Sequence, residues 1–355
     1  MGCHRLGGRR HPDGYPAMMP IEETLWLPVC AGAQLPPGHL QAIRVLGQDR
    51  VVWRAADGRL SAAPDRCPHR GTPLSMGQVQ GDRLVCPYHG WAFDIEGRCR
   101  HIPALAQVVP GARQAVACHA VRERHGLIWL RAGAAHESAL LAEPPPFDGP
   151  AEGAGIRRVL CGPYDVAASA PRVLENFLDL AHFAFVHAGS LGDPDHAAIG
   201  DYRVEAGGAG RGLRATGCRA WQPKSNLLAQ TGEMVEYRYE VPAPYCAVLS
   251  KCPERWQDYQ ESIALFALPQ DPLRTRVWFL IAMSAGDRSE EQIRAFQDAL
   301  FEQDRRILEA QRPALLPLDP RAEASCAIDR LSLAYRAYLG ELGVRFGVLP
   351  TGPAP

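Results

Sequence analysis

CPHRGTPLSMGQVQGDRLVCPYHGW, residues 67–91, carries two cysteine–histidine pairs, Cys67 with His69 and Cys86 with His89. Thiolate sulfur and imidazole nitrogen both ligate metals. Two of each in this alternation suit a sulfide-bridged pair of irons, in which the two Cys hold one iron and the two His the other. Each pair stands at a tight turn, with Pro68, Gly71 and Pro73 in the first loop and Pro87 and Gly90 in the second, residue types that preset turn backbone angles. Loops of this kind also aim N–H groups at bridging sulfides and so tune the potential. Two Cys and two His are equally a tetrahedral zinc set. A zinc finger, however, places both Cys before both His on a ββα unit, whereas here each Cys is followed by its own His on a β-rich hairpin.

The flanking residues read as a small all-β domain. Between residues 22 and 131, the short runs ETLWLPVCA, QAIRVLG, RVVWRA, RLVC and GLIWL are rich in β-branched and aromatic residues, with Asp57-Gly58 as a turn signal. Residues 133–155, containing AEPPPFDGPAEGAG, have no sustained periodicity and suit a linker. Beyond it come a strand-like RRVLCGPYDVAAS and a helical RVLENFLDLAHFAFVH with Pro171 at its first turn. Strand-like segments follow at 212–221, 232–241, 245–251, 258–268 and 274–284, and helical spacing at Ser289–Arg312 and Glu323–Leu342, the first opened by Ser289, Glu290 and Glu291 as cap and first turn. The expected class is α+β, an antiparallel sheet with helices packed on it following the all-β domain. The expected domains are a disordered N-terminal extension (1–19), the all-β domain (20–140), a linker (141–155), the second domain (156–345) and a flexible tail (346–355). The glycine-rich run at 207–212 is too irregular for a dinucleotide fingerprint and reads as a flexible loop.

Bulk properties narrow the function classes. A chain of 355 residues suits two domains. A formal charge of −1 without a basic block argues against nucleic-acid binding, and no apolar run approaches a membrane span. The first twenty residues lack the apolar stretch of a secretory signal, and eleven cysteines, an odd number, do not suggest a secreted disulfide framework. A reducing cytoplasm is expected. Cys30, Cys161, Cys218 and Cys326 stand in apolar surroundings and read as buried, inert thiols.

A second ligand set decides what the chain adds to the first. In ENFLDLAHFAFVH, Asn176, Asp179 and His182 recur every three residues on roughly one helical face, and His187 follows His182 at five. That last spacing requires the helix to end or distort near His187, or the rings to converge from adjacent faces. Two His and one carboxylate with positions left open is the arrangement of non-haem Fe(II) oxygenases. The helix IRAFQDALFEQDRRILEAQRP offers Asp298, Glu302, Asp304 and Glu309 as the acid. Ile293, Phe296, Leu300, Ile307, Leu308 and Gln311 trace its inward stripe, and Asp304 falls on that stripe, where an acid needs a metal or a partner. Glu302 and Glu309 fall off it, on a charged face. The remaining histidines, His39, His101, His119, His125, His136 and His196, read as core or surface rings.

The 67–91 segment resembles the Rieske proteins, and CPYHGW resembles their oxygenase branch, since Arg70, Gly71 and Tyr88 stand where respiratory-type loops carry an additional cysteine pair. The spacing Asn176-x-x-Asp179-x-x-His182-x4-His187 is similar to the mononuclear-iron motif of Rieske oxygenase large subunits, and FEQDRRILEAQRP resembles their ligand helix. Within that family the chain is most similar to the vanillate, dicamba and toluenesulfonate oxygenases and the methylxanthine N-demethylases, through ENFLDLAHFAFVHAGSLGDPDHA and IDRLSLAYRAYLGEL.

The resemblance implies a helix-grip-like catalytic domain; a [2Fe–2S] cluster on Cys67, His69, Cys86 and His89; and Fe(II) on His182, His187 and Asp304. It also implies a bridging role for Asp179 toward a cluster histidine of a neighbouring subunit, and a place for Asn176 beside the iron. It implies a homotrimer or mixed trimer, O₂ as co-substrate, and NAD(P)H electrons through a separate reductase or ferredoxin, no flavin or nicotinamide motif being visible. The implied reaction is monooxygenation of a small aromatic or heteroaromatic compound, with N- or O-demethylation and formaldehyde release. Ring dihydroxylation or C-hydroxylation in the same family, a Rieske electron carrier, and a zinc-stabilised binding module are the rivals. Substrate contacts are expected in the sheet segments 212–284, where Trp221, Trp278 and Phe279 are candidate pocket walls and, individually, better candidates for core packing.

Overall fold

The computed structural model describes residues 21–133, 140–153, 155–207, 212–224, 229, 231–255 and 258–350. The expected extension at 1–19, His136, most of the 207–212 loop and the end of the tail lie outside the described residues.

After one helical turn, α1 (Ile21–Thr24), the chain forms ten short strands: β1 (Trp26–Ala31), β2 (Leu40–Val45), β3 (Gln48–Arg54), β4 (Leu60–Pro64), β5 (Gln78–Gln80), β6 (Arg83–Val85), β7 (Ala92–Phe93), β8 (Cys99–His101), β9 (Ala120–Arg124) and β10 (Leu127–Arg131). They make three antiparallel sheets, ordered β1-β10-β9, β2-β3-β4 and β5-β6-β7-β8. The period of two that marks a strand explains how β3 serves two cores at once. Val52 faces the large core shared with the rest of the chain, while Val51 and Trp53 face a smaller one with Leu74, Leu84 and Phe93, to which Cys67 and Cys86 also belong.

The second half is built on a seven-stranded antiparallel sheet. Its strands are β11 (Ile156–Val166), β12 (Arg203–Ala206), β13 (Leu213–Gln222), β14 (Glu233–Ala243), β15 (Cys246–Pro253), β16 (Glu261–Asp271) and β17 (Arg274–Ser284). From β12 to β17 the strands meander, and β11 closes the far edge by pairing with β17. Helices α2 (Ala170–Leu178), α3 (Phe183–Val186), α4 (Glu290–Ala310) and α5 (Arg330–Leu342) complete it, with a two-residue parallel pair, β18 (Leu316–Pro317) and β19 (Val348–Leu349). The class is mixed α+β, as the sequence pattern predicts. No helix among the described residues is long and apolar enough to cross a membrane.

Burial along the strands tells which of them are covered on both faces. In β14 buried and less buried positions alternate, the mark of one covered face. In β16 and β17 seven consecutive residues are buried. Helix α2 covers β16 on one face, and β1 and β2 pack against it on the other. Trp129 meets Phe266 edge-on at 5.0 Å between ring centroids, and Arg44 donates to Asp271 at 2.8 Å. The N–H groups of Leu46 and Gly47 bond to Pro269 and Gln270 at 2.8 and 2.7 Å. The two halves of the chain therefore share one continuous apolar core.

The helices stand where local chemistry starts and stops them. Ser289 caps α4 by accepting from the Gln292 N–H at 3.3 Å, and Gln292 returns the bond to the Ser289 N–H at 3.0 Å, a reciprocal capping box. Ser169 caps α2, with Pro171 in its first turn. Two expectations are corrected. The final helix begins at Arg330 rather than Glu323, because Glu323 is held away from a helical position by ion pairs to Arg172 at 2.5 Å and Arg336 at 2.6 Å. Cys326 is exposed rather than buried, since it lies in the turn ahead of α5, where its thiol donates to Asp329 at 3.2 Å.

Arg172 and Arg336 share Glu175 and Glu323 in a network in which Arg172 is 3% and Arg336 7% exposed. This network ties α2 to α5. Breaking a buried charge network by removing one member leaves its partners uncompensated, at a cost of about 3 kcal/mol or more. Arg336→Met is therefore expected to lower stability by about 3 kcal/mol, read as a shifted denaturation midpoint; a change within about 0.5 kcal/mol, the range of ordinary surface substitutions, would contradict the role assigned to the network.

Candidate metal centres and cavity

The two loops of residues 67–91 are built alike. Gly71 N–H bonds back to the Cys67 carbonyl at 2.9 Å and Gly90 N–H to the Cys86 carbonyl at 3.1 Å. Both glycines have positive φ, +75° and +68°, a conformation that strains any residue with a Cβ. The turns bring Cys67 and Cys86, each 2% exposed, together under the surface. The rings of His69 and His89 meet edge-on at 4.5 Å between centroids, and Trp91 stacks flat on His69 at 4.5 Å and 6°.

The donor chemistry of these four residues fits a sulfide-bridged iron pair. Nδ1 of His69 is buried without a hydrogen-bond partner, an arrangement that costs free energy unless a ligand completes it. Burial, with the charges of His89 and Arg70, lowers the His69 pKa, which keeps the imidazole neutral and its lone pair available. Burial pushes the Cys67 thiol up to about 11, so the thiolate form needs a cation beside it. Ligands of one tetrahedral zinc at about 2.0–2.3 Å from the ion would all lie within about 4 Å of one another. Among the described residues only His182, His187 and Asp304 bring three ligand atoms within 4.8 Å of one another. The Cys and His pairs are too widely spaced for a single ion, as two bridged irons require.

The second set is assembled by a break in the chain. The single helix expected over 172–187 is two: α2 ends at Leu178, and Asp179 takes an extended conformation as its C-cap, φ −89° and ψ 133°. Asn176, Asp179 and His182 therefore do not share one helical face. The physical cause is the Asp179 carboxylate, which accepts from the N–H groups of Ala181 at 2.9 Å and His182 at 3.3 Å. Such local side-chain bonds compete with helical ones. His182 precedes the single turn α3 and His187 caps its end, so both rings reach toward α4.

There they meet Asp304. Its Oδ1 lies 3.5 Å from Nε2 of His182 and 3.2 Å from Nε2 of His187, and Asn176 donates to the same oxygen at 3.5 Å. The other nitrogens are occupied: Nδ1 of His182 lies 3.3 Å from Asp179 and Nδ1 of His187 2.7 Å from Oε1 of Gln303. With an acceptor at each Nδ1, that atom carries the proton and Nε2 presents its lone pair to the common point. Burial alone would lower the His187 pKa, but Asp304 and Gln303 outweigh it and hold it above the usual value. For Asp179, burial alone would raise the pKa, but the His182 ring and the two N–H groups more than offset it.

The sequence reading singles out these residues with one omission, Gln303, whose only sequence signal is its place beside Asp304. The other acids of α4 are engaged elsewhere: Asp298 accepts from Tyr164 at 2.5 Å, Glu309 from the Ala167 N–H at 3.0 Å, and Glu302 lies 3.4 Å from Arg305. The expected inward stripe needs correction. Phe296 and Ile307 are 46% and 44% exposed, and Gln297 and Phe301 are buried in their stead. The physical reason is that α4 borders space on both sides of Asp304: Phe296 lines a cavity of about 390 Å³ on one side, and Ile307 lines a cleft of about 380 Å³ that opens on Asp179 and His182 on the other. Trp278 and Phe279 are core residues, and Trp221 stacks on His196. The cavity is walled instead by residues such as Phe183, Tyr237, Leu249, Ile263 and Leu300.

Comparison with known proteins adds the following. The Rieske [2Fe-2S] domain model matches residues 25–119, and the vanillate O-demethylase oxygenase C-terminal domain model matches residues 166–345. The chain is 31% identical over 327 residues to methylxanthine N1-demethylase NdmA of Pseudomonas putida, covering 89% of this chain and 88% of that protein. It is 30% identical over 323 residues to a vanillate O-demethylase oxygenase subunit of a Pseudomonas strain, covering 80% and 91%. The solved structure of Pseudomonas putida CBB5 NdmA with caffeine superposes with a TM-score of 0.76 at 28% identity, covering 91% and 92%.

The two ligand sets predict separable losses. Asp304→Ala is expected to reduce bound metal while leaving the visible absorption of the 67–91 centre unchanged, and Cys86→Ala to abolish that absorption; metal analysis with visible spectra checks both. Loss of both signals on the Asp304 change alone would contradict two independent centres.

Proposed function

The chain belongs to the Rieske non-haem iron oxygenases, with a catalytic domain of the vanillate O-demethylase type, and on that footing we propose that it removes a methyl group from nitrogen or oxygen of a small aromatic or heteroaromatic substrate. The observation that carries the proposal is the convergence of His182, His187 and Asp304 near a largely apolar cavity, in a chain that holds a second, two-iron ligand set. Two electrons and two protons reduce one oxygen atom of O₂ to water and place the other in the methyl group. The resulting hydroxymethyl group loses formaldehyde as its C–N or C–O bond breaks, leaving an N–H or O–H product.

In this reading Cys67 and Cys86 would hold one iron of a [2Fe–2S] cluster and His69 and His89 the other, and His182, His187 and Asp304 would hold a mononuclear Fe(II). Iron held there would supply the O₂ chemistry, and a [2Fe–2S] cluster the electrons for it. The protein fixes the donors. Asp179 and Gln303 set the tautomers of His182 and His187, Asn176 donates to the Asp304 oxygen, and Phe183 packs edge-on to His182 at 4.8 Å. NAD(P)H electrons arrive through a separate reductase.

The cluster loops and the iron site both open outward. His89 and Tyr88 are exposed beside the cluster, and the side chain of Asp179 is 35% exposed in its cleft. Both features support a head-to-tail ring, a trimer, in which Asp179 of one protomer bridges His182 to a cluster histidine of its partner. A carboxylate between two imidazoles holds both in position and couples their protonation.

With a compatible reductase, O₂ uptake on methoxy- or N-methyl-aromatic compounds is expected to be matched by formaldehyde release; uptake with hydroxylated product and no formaldehyde would defeat the demethylase reading. Asp179→Asn is expected to cost roughly 10–100-fold in turnover with iron content and cluster spectrum retained; unchanged turnover would remove the bridging role.

A further inference from the structure

The cavity beside α4 has a charged end that neither metal site uses. Lys251 on β15 and Glu261 on β16 are register partners across the two strands, with side chains 8% and 13% exposed. Their closest approach, Nζ to Oε2, is 3.6 Å, too long for a hydrogen bond. The same Glu261 oxygen accepts a 2.6 Å bond from the Tyr259 hydroxyl. The carboxylate is thus satisfied, while an ammonium with three donors is left with a loose contact.

Charge around the cavity is unbalanced. Its lining carries Lys224, Lys251 and Arg288 against Glu261, three positive groups and one negative, a net +2. Among the described residues, neither Lys224 nor Arg288 has a carboxylate within ion-pair distance. Low-dielectric walls focus such a field on whatever enters. Tyr237 and Gln222 belong to the same lining, and the Tyr237 hydroxyl and both amide atoms of Gln222 are buried without hydrogen-bond partners. A buried ion pair is a poor source of stability compared with apolar packing, and this one stands at a cavity wall.

We propose that the cavity selects an anionic substrate, a methylated aromatic or heteroaromatic compound bearing a carboxylate, and that Lys251 is the specificity-determining residue that pairs with that carboxylate; this rests on the demethylase reading above. A neutral ligand would leave the Lys251 donors unmatched and the positive charge uncompensated. Glu261 opposes the ligand's charge and, by drawing the Lys251 ammonium toward β16, fixes where the carboxylate sits.

The test is calorimetric binding to the purified holoenzyme of a panel of methoxybenzoates and N-methyl heteroaryl carboxylates, each against its own primary amide. At least one carboxylate is expected to bind roughly tenfold or more tightly than its amide, the scale of a partly desolvated charge pair. Lys251→Met is expected to erase that preference by weakening the carboxylate alone, and Glu261→Gln to strengthen carboxylate binding. A merely structural pair predicts instead that both changes weaken both ligands. A panel in which no carboxylate outbinds its amide overturns the proposal, as does weaker carboxylate binding in Glu261→Gln, which decides the matter should Lys251→Met fail to fold. Formaldehyde is scored separately: Lys251-dependent carboxylate binding without formaldehyde would uphold charge selection and defeat demethylation.

Discussion

One oxygen of Asp304, approached by two imidazole nitrogens and one amide nitrogen, constrains the arrangement of the helices around it. A partly buried carboxylate facing the Nε2 atoms of two imidazoles is an incomplete set, and either a proton or a cation must complete it. The raised pKa of His187 expresses the same demand in the language of protons. A divalent ion meets it for all three groups at once. The geometry requires α2 to stop before His182, and the Asp179 carboxylate enforces that stop by taking two backbone N–H groups that would otherwise continue the helix. The residue that breaks the helix is also the one that orients the first imidazole, so positioning and local folding are inseparable there.

Much of this was legible in the residues. The candidate ligands are legible from side-chain chemistry and short spacings, which do not depend on secondary structure: Cys67, His69, Cys86 and His89 form a recognisable set however the surrounding strands run. The sheet was legible because its strands alternate or run apolar, and α4 because a capping box announces it. What escaped the sequence depended on contacts distant along the chain. The break at Asp179 lies in a segment whose apolar spacing continues smoothly through it, so periodicity alone cannot reveal it. Nothing near Glu323 in the sequence shows that Arg172, 151 residues earlier, holds it out of the helix. Gln303, an amide beside an acid, carries no chemical signature until His187 is folded against it. Phe296 and Ile307 fit a core stripe in sequence because an apolar stripe facing a cavity and one facing packed side chains are identical there.

The two halves are coupled through β16. Seven consecutive residues of that strand are buried, with α2, which carries Asn176, packed on one face and the first domain on the other. Trp129 against Phe266 and Arg44 against Asp271 fasten the first domain to the sheet. The 67–91 loops sit on the smaller core, and β3, with Val52 in the large core and Val51 and Trp53 in the smaller one, ties them to the half that carries His182, His187 and Asp304. A domain pair held by polar contacts alone would be free to shift. In the head-to-tail ring proposed above, fixed placement would matter, since each cluster would have to meet a site on another chain.

The same strand explains how substrate choice can vary without disturbing the metal sites. Toward its start, Glu261 and Ile263 line the cavity, and Lys251 faces Glu261 from β15; further along, Phe266 and the Pro269–Asp271 end bind the first domain. The residues that line the cavity lie on β13 to β17, α3, α4 and the segments joining them; Asp179 and Gln303, which meet His182 and His187, are not among the lining residues, nor are Arg172, Glu175, Glu323 and Arg336. Exchanging a charge at position 251 or 261 changes which ligand the cavity favours while leaving every contact to His182, His187 and Asp304 intact. Separating the group that recognises the substrate from the groups that position the iron lets one scaffold accept ligands as different in charge as a carboxylate and a neutral heterocycle, by substitution on two paired strands.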